Sequence, residues 1–437
     1  MASFFDGELS KSLLVLAMAS ALAACGGESG DSDDDSGTAE EEHDHEGGRL
    51  LYSVGNASGI SLYDQTNEEA PFTETAITTS EVGVDIVLAS SGLTAAIVDN
   101  DKLYLIDSGL EHHEDEEGDD HSEEEHNEAP SSALVELSGS VSYVLATHEY
   151  FSVLNGSNSS IIDAEDGDVI TSFSAGYYPA LALTGDHYLI FESSDGAVNI
   201  TVVESDQSPL TPSVTASCTG NIKDTAQTEH LTQVLCGNGT VLSFVAEEGE
   251  TDTSFTLSQT ENSGLENLVA TASEYDVIAG WAADAPKLTL FKISEASVVS
   301  ADVTSEVSSP AILDVAALTS DENDVLGVLG SDGRFFALTF HAEDTELEID
   351  DNDKFQLESG QTWSSSDRVL ADSEAFIAIN TESQTLYFID GHDEEDYHLH
   401  SSESGDENLA ELTSAVLAHV QEEHGEEGHD EEGHDHD

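Results

Sequence analysis

The fold class that the sequence predicts is all-β, and within that class a β-propeller of seven or eight blades. Segments of five to seven residues alternate apolar and polar side chains with a period of two, as half-buried strands do. Groups of these segments recur roughly every 36–57 residues, and a repeat of about four strands at this spacing is typical of propeller blades. The 34 Gly suit many tight turns between short strands.

The strand groups follow one another from Arg49 to about Gly391. Within the first complete group, Asp85–Ser90, Thr94–Asp99 and Lys102–Asp107 are separated by short turns. The groups begin, in chain order, near Leu50, Asp85, Tyr143, Ala180, Val214, Leu268, Asp314 and Arg368.

Ring closure leaves the number of blades open. The first unit, Leu50–Val54 and Ile60–Asp64, lacks a preceding inner strand. If Leu412–Val420 returns as that strand, the ring has eight blades. If the same segment forms a helix in the tail, seven blades result. Two β-sandwich domains are the alternative architecture for this strand pattern.

The N-terminus predicts a processing signal rather than a folded element. Lys11 precedes an apolar run of 12 residues, Leu13 to Ala24, which is too short to span a bilayer as a stable helix. The run ends in Leu22-Ala23-Ala24-Cys25 and resembles the bacterial lipoprotein signal, in which the cysteine is lipidated. The resemblance implies that residues 1–24 are a signal peptide and that Cys25 carries a lipid anchor. It also implies that Gly26, which is not Asp, favours the outer membrane. An ordinary secretory signal is the alternative.

The charge balance excludes some partners. The chain has 92 Asp and Glu against 9 Lys and Arg, a formal net charge of -83. Such a surface repels phosphate, so we expect no nucleic-acid binding, and it also repels an anionic lipid surface. Salt adaptation of an exported protein explains much of this acidity, but it does not explain the histidines.

Three acidic segments interrupt the strand pattern. An acidic tether occupies residues 25–48, an insertion occupies residues 110–130 within the propeller of residues 49–391, and an acidic, His-rich tail occupies residues 392–437. With almost no apolar content, these segments are predicted to stay mobile, since little burial offsets the entropy of ordering them.

Fourteen of the 18 His lie in these acidic segments. Neutral imidazole is a good ligand for Zn²⁺ and related ions, and carboxylates add charge and oxygen ligands. A His-x-His spacing puts two imidazoles on one side of an extended chain. The alternative is that the segments only solubilise the protein. The candidate zinc ligands are His43, His45, His112, His113, His121, His126, His392, His398, His400, His419, His424, His429, His434 and His436.

Export also bears on the other cysteines. If Cys25 is lipidated, Cys218 and Cys236 remain, and in an oxidising compartment they are predicted to form a disulfide. The sequence contains no CxxC spacing, which would have favoured a metal-binding or catalytic role for the cysteines. GxSxG, HExxH, Walker A and GxGxxG motifs are also missing from the sequence, so we expect no enzyme activity.

The order of several motifs resembles a known family. A His/Glu tract precedes Gly48-Arg-Leu-Leu-Tyr52, a His/Asp/Glu insertion follows the second strand group, and Ser142–His148 comes next. A Cys218-Thr-Gly220 segment leads to Cys236-Gly-Asn-Gly239. This order resembles the bacterial periplasmic zinc metallochaperones of the AztD type, which are β-propellers.

The resemblance implies zinc binding and delivery to the solute-binding protein of a zinc ABC importer. It adds His148 to the candidate ligands. The family's histidine pair is replaced here by Tyr177-Tyr178. The resemblance and the histidines together favour a zinc-binding lipoprotein that captures and delivers metal. The alternative is a propeller scaffold that docks a protein at the outer membrane and has no metal role.

Overall fold

The computed structural model describes residues 48–419 apart from short gaps. No helix among the described residues is both long and apolar enough to cross a membrane. The gaps are residues 66, 68–70, 90–91, 111–128, 148–149, 175–177, 185, 249–252, 262, 272–275, 284–285, 295–296, 320–323, 344–345, 372–374 and 393–395. Cys25 and most of the histidine-bearing segments therefore lie outside the described residues.

The described chain forms eight four-stranded antiparallel sheets, which are the blades of a β-propeller. We call the strands of each blade A to D, from the innermost to the outermost. Blade 1 combines both ends of the ring, with β32 as its A strand and β1, β2 and β3 as strands B to D. Its bounds are Leu412–Ala418 for β32, Arg49–Val54 for β1, Ser58–Asp64 for β2 and Phe72–Val82 for β3.

Blades 2 to 4 follow directly along the chain, each in the order A to D. Blade 2 contains β4 (Ile86–Leu88), β5 (Thr94–Asp99), β6 (Lys102–Asp107) and β7 (Ser131–Val135). Blade 3 contains β8 (Val141–Thr147), β9 (Tyr150–Asn155), β10 (Asn158–Asp163) and β11 (Val169–Ser174). Blade 4 contains β12 (Leu181–Ala182), β13 (His187–Ser194), β14 (Ala197–Glu204) and β15 (Thr215–Thr219).

Blades 5 to 8 repeat this order, with short 3₁₀ turns at Thr304–Glu306 and Glu407–Glu411. Blade 5 contains β16 (Ile222–Gln227), β17 (Leu231–Cys236), β18 (Val241–Glu248) and β19 (Thr253–Thr260). Blade 6 contains β20 (Asn267–Ala270), β21 (Ile278–Ala282), β22 (Lys287–Ser294) and β23 (Ser297–Asp302). Blade 7 contains β24 (Ile312–Thr319), β25 (Asp324–Gly330), β26 (Arg334–Glu343) and β27 (Glu346–Gln356). Blade 8 contains β28 (Arg368–Ala371), β29 (Ala375–Asn380), β30 (Thr385–His392) and β31 (Asp396–Ser404).

The core of the ring lies between neighbouring blades. One apolar cluster fills each of the eight junctions, including the junction of blade 8 with blade 1, where Leu50, Tyr52 and Ile377 pack together. Middle strands such as β1 and β25 are buried at every position because both of their faces meet another blade. The outer strands alternate burial and exposure, which is why their sequences are more polar.

Ring closure settles the blade count that the sequence left open. Leu412–Ala418 pairs antiparallel with β1, with Leu417 opposite Leu50, so this segment is the missing inner strand and the ring has eight blades. The alternative of a helix in the tail is wrong, because only a strand satisfies the free edge of β1. The ring also extends beyond residue 391, the end that the sequence predicts, because β31 lies within the segment that is predicted to be mobile.

The predicted disulfide is confirmed. Cys218 in the outer strand of blade 4 is bonded to Cys236 at the end of β17 in blade 5, and both residues are fully buried. The bond therefore joins two blades that the chain connects in sequence. Closing a loop of this length contributes roughly 3 kcal/mol in the chain-entropy model.

Two aspartates on inner strands each form a hydrogen bond to the following blade. Asp224 of blade 5 accepts a hydrogen bond from the Leu268 N–H of blade 6 at 2.7 Å. Asp314 of blade 7 accepts one from the Val369 N–H of blade 8 at 3.1 Å. Desolvation between the blades outweighs these hydrogen bonds and raises the pKa of each carboxyl from 3.8 to about 6.

These raised pKa values predict a loss of stability with rising pH. Between about pH 4 and pH 6 the folded chain holds protons that the unfolded chain has released, so the free energy of unfolding falls as the pH rises through this range. The variants Asp224→Asn and Asp314→Asn keep one oxygen that can accept the hydrogen bond from the next blade, and they cannot ionise. Each is expected to stabilise the ring at pH 7 by roughly 1–2 kcal/mol and to leave it unchanged below pH 4. Urea denaturation at pH 7 and below pH 4 measures the free energy of unfolding of each variant. The control is Asp85→Asn, at an exposed position. Equal effects of all three variants would contradict the prediction.

Candidate metal centre

Three ligand-type side chains come together at the outer hairpin of blade 8. Asp390 lies near the end of β30, and His398 and His400 lie on β31. One ligand atom from each residue lies within 4.8 Å of those of the other two. Among the described residues, this is the one group of at least three His, Cys, Asp or Glu that meets this distance.

The local backbone explains why these side chains converge. Asp390 is directly opposite His398 in the β30–β31 ladder, so both lie on the same side of the sheet. A β-bulge follows, because Ile389 pairs with Leu399 whereas Phe388 pairs with Ser401. His400 is the extra residue of this bulge, and a bulge re-aims its side chains. Both imidazoles thereby reach the Asp390 carboxylate.

The distances suit a shared cation. His400 Nδ1 lies 3.3 Å from Asp390 Oδ2, and His398 Nε2 lies 3.8 Å from Asp390 Oδ1. Ligand atoms bound to one tetrahedral Zn²⁺ at ~2.0–2.1 Å lie about 3.3 Å from each other. Two imidazoles and one carboxylate are a donor set for Zn²⁺, Cu²⁺ or Ni²⁺ rather than for Ca²⁺, which takes oxygen ligands.

The site is open on the imidazole side and closed on the carboxylate side. The Asp390 side chain is 9% exposed, whereas the side chains of His398 and His400 are 45% and 54% exposed. A cation held here is therefore anchored by a buried charge and remains accessible to ligands from solvent or from another protein.

An aromatic contact between blades 8 and 1 lies on the strand face that carries Asp390. Phe388, two residues before Asp390 on the same strand face, stacks on Tyr63 with ring centroids 5.8 Å apart. The Tyr63 hydroxyl donates a hydrogen bond to Glu403 of β31 at 3.0 Å. Burial, with the Glu403 hydrogen bond as a second cause, raises the pKa of Tyr63 well above its usual value and keeps the phenol neutral. This hydrogen bond ties β31, the strand of both histidines, to blade 1.

The structure brings together two of the predicted ligands and corrects their setting. His398 and His400 lie on an ordered strand, not in the mobile tail, because β31 pairs with β30 over its whole length. His392 ends β30, and His419 follows β32 and donates its backbone N–H to the Gly92 carbonyl at 3.1 Å. The predicted ligands that lie outside the described residues are His43, His45, His112, His113, His121, His126, His148, His424, His429, His434 and His436.

Three isolated histidines of the described blades each have an acceptor beside the ring. His230 Nδ1 lies 3.1 Å from Asp276 Oδ2, and His187 Nδ1 lies 3.2 Å from the Thr184 carbonyl. The His341 ring nitrogen Nδ1 contacts the Asp350 carboxylate. These partners orient the rings and do not assemble a third ligand within 4.8 Å among the described residues.

All of the described histidines lie on one side of the ring. Because strand direction alternates, the A–B and C–D connections of every blade share one face, and the B–C and D–A connections share the other. We call the first of these the histidine face. The described histidines lie in its connections or in the adjoining part of a strand: His187, His230, His341, His392, His398, His400 and His419.

Asp390 is the site residue that sequence reasoning missed. It ends the apolar pattern Tyr387-Phe-Ile-Asp390, from which the sequence predicts the end of the last blade. The usable signal was the alternation in Tyr397-His-Leu-His400, which is a strand pattern with both histidines on one face. A strand following a turn pairs with the strand before it, and this places Asp390 opposite the histidines.

Comparison with known proteins shows similarity at the level of fold. No protein-family model matches the chain, and no curated protein matches it in sequence. The structure of apo AztD from Citrobacter koseri aligns with a TM-score of 0.56 and 10% identity over 85% of this chain and 97% of that chain. A second structure of Citrobacter koseri AztD aligns with a TM-score of 0.54 and 11% identity over the same shares.

The chain is thus similar in fold to AztD, an outcome that agrees with the family resemblance noted from the sequence. At this identity the similarity shows the propeller fold alone. The periplasmic gluconolactonase PpgL of Pseudomonas aeruginosa aligns with a TM-score of 0.43 and 12% identity over 86% of this chain and 100% of that chain.

Proposed function

We propose that this protein captures zinc in the cell envelope and delivers it to the solute-binding protein of a zinc ABC importer. The observation that carries the proposal is the cluster of Asp390, His398 and His400, two imidazoles and one carboxylate within 4.8 Å of one another. Capture and delivery need binding and ligand exchange, without turnover of a substrate, so the proposal includes no enzyme activity.

The exposure of the cluster supports exchange rather than permanent retention. Structural zinc sites are closed by four protein ligands, whereas this cluster offers three and leaves both imidazoles about half exposed. An incoming ligand from an acceptor protein can therefore reach the ion before the last ligand leaves. The resemblance to AztD-type metallochaperones, in sequence order and in fold, supports zinc as the cargo and an importer protein as the acceptor.

Ten of the other predicted ligands fit a collecting role in the same proposal. They lie in the acidic segments at residues 25–48, 110–130 and 420–437. The formal net charge of -83 attracts cations to the chain and raises their concentration around these ligands. In this proposal, Cys25 carries the lipid anchor that holds the protein at the outer membrane.

Zinc stoichiometry tests the proposal. Calorimetry of the mature chain at neutral pH is expected to give several equivalents of Zn²⁺, with binding that weakens on acidification because protonated imidazole cannot bind metal. Replacing the histidines of residues 25–48, 110–130 and 420–437 by Gln should remove most equivalents and leave the tightest one. The matched control replaces every histidine by Gln. If the control and the unaltered chain retain equal zinc, the proposal fails.

A further inference from the structure

The exposed cationic residues of the ring are segregated from the histidines. Among the described residues, every Lys or Arg that is at least partly exposed lies at the face opposite to the histidine face, near the start of an A or C strand or near the end of a D strand. These residues are Lys102, Lys223, Lys287, Arg334, Lys354 and Arg368.

The two other described basic residues do not change this distribution, because both are buried. Arg49, which begins β1 at the histidine face, is 3% exposed and forms an ion pair with Asp64 at 3.0 Å. Lys292 is 2% exposed within blade 6. The described part of the histidine face therefore offers no exposed Lys or Arg, although it carries exposed carboxylates such as Glu165, Asp186 and Glu229.

We propose that the histidine face is the docking surface for a metal-exchanging protein whose own surface is basic. The inference rests on the proposed function, because transfer by ligand exchange needs the acceptor's ligands within bonding distance of His398 and His400. Those imidazoles are exposed at this face, so the acceptor must approach it. An acidic acceptor meets uncompensated negative charge there, whereas a basic acceptor is attracted and oriented.

Net charge alone would attract a basic protein to any part of this chain, so the test compares the two faces at equal net charge. The histidine-face variant carries Glu165→Lys, Asp186→Lys and Glu229→Lys, all at exposed positions of A–B or C–D connections. The matched control carries Asp85→Lys, Glu261→Lys and Glu382→Lys, all at exposed positions of B–C or D–A connections. Each variant replaces three negative charges by three positive ones.

The probes are two zinc-finger peptides with the same Cys₂His₂ ligands, one flanked by Lys and the other by Glu. Zinc transfer from the loaded full-length chain is followed by stopped flow. From the unaltered chain, transfer to the Lys-flanked peptide is expected to be at least about tenfold faster at low ionic strength, with a difference that shrinks as salt is added. The histidine-face variant should lose most of this preference, and the control variant should keep it.

Two results would overturn the docking inference: no preference for the Lys-flanked peptide, or an equal loss of preference in both variants. Zinc loading is measured by calorimetry before transfer, and thermal unfolding confirms that both variants fold. If the chain loads zinc but its preference for the Lys-flanked peptide does not depend on which face is altered, the docking inference is wrong and the proposed function still stands. A chain that does not load zinc overturns the proposed function itself.

Discussion

A chain that ends at Glu411 is expected not to form a stable ring. It lacks β32, which supplies the inner strand of blade 1 and pairs with β1 along its length. Its loss leaves the β1 edge unpaired and opens the cluster that contains Leu50, Tyr52 and the fully buried Leu417. Losing a whole strand ladder and its apolar contacts costs on the order of 5 kcal/mol or more, which is comparable to the stability of a typical domain.

The control for this truncation is a chain that ends at His419, which lacks the acidic tail but retains β32. It is expected to melt like the full chain. In a second test, Leu417→Asp places a charge at a position that is 1% exposed, and it should destabilise nearly as much as the truncation. Circular dichroism and differential scanning calorimetry measure both effects. If the chain that ends at Glu411 melts within a few degrees of the control, β32 is not what closes the ring.

The propeller could be predicted from the sequence because its strands are short, alternate and recur. The blade number could not, since Leu412–Val420 is an apolar run of a length that fits a strand or a short helix. The choice depends on the free edge of β1, more than 350 residues away in sequence, which no local pattern reveals. Long-range pairing of this kind is what closes a propeller.

The sequence predicted which residue types act as ligands, but it did not predict that His398 and His400 lie on a strand. His398 and His400 fall in a polar stretch rich in Asp, Glu and Ser, so the segment appeared to lack the apolar content of a strand. Outer strands of blades face solvent on much of their surface, and Tyr397 and Leu399 are the described residues of β31 that join the apolar cluster between blades 7 and 8. The bulge at His400 arises from a shift in the pairing of β31 with β30, which the local sequence pattern did not predict.

The role of Asp390 follows from its position between the two imidazoles. Its carboxylate is 9% exposed, so little water screens the attraction between this charge and a cation bound beside it. The geometry therefore predicts that Asp390 contributes as much to metal affinity as either histidine, although its side chain is the least visible from solvent.

The variant His398→Ala/His400→Ala is expected to lower the affinity of the tightest zinc equivalent by at least about 100-fold. Loss of groups that merely orient metal ligands typically costs 10–100-fold, so loss of two of three ligands costs no less. Asp390→Asn, which keeps the shape and removes the charge, should cost about 10–100-fold. Competition with a chromophoric zinc chelator on the full-length chain measures these affinities, and urea denaturation shows whether each variant keeps its fold.

The matched control is His187→Ala/His230→Ala, which removes two imidazoles from the same face without touching the cluster. It is expected to leave the tightest equivalent unchanged within about twofold, because neither ring joins a group of three ligands among the described residues. If both double variants lower the affinity equally, the histidines act as a diffuse collection of imidazoles and the ordered site on blade 8 has no special role. If only the blade 8 variant lowers the affinity, the ordered site formed at the β31 bulge is the high-affinity zinc site of this ring.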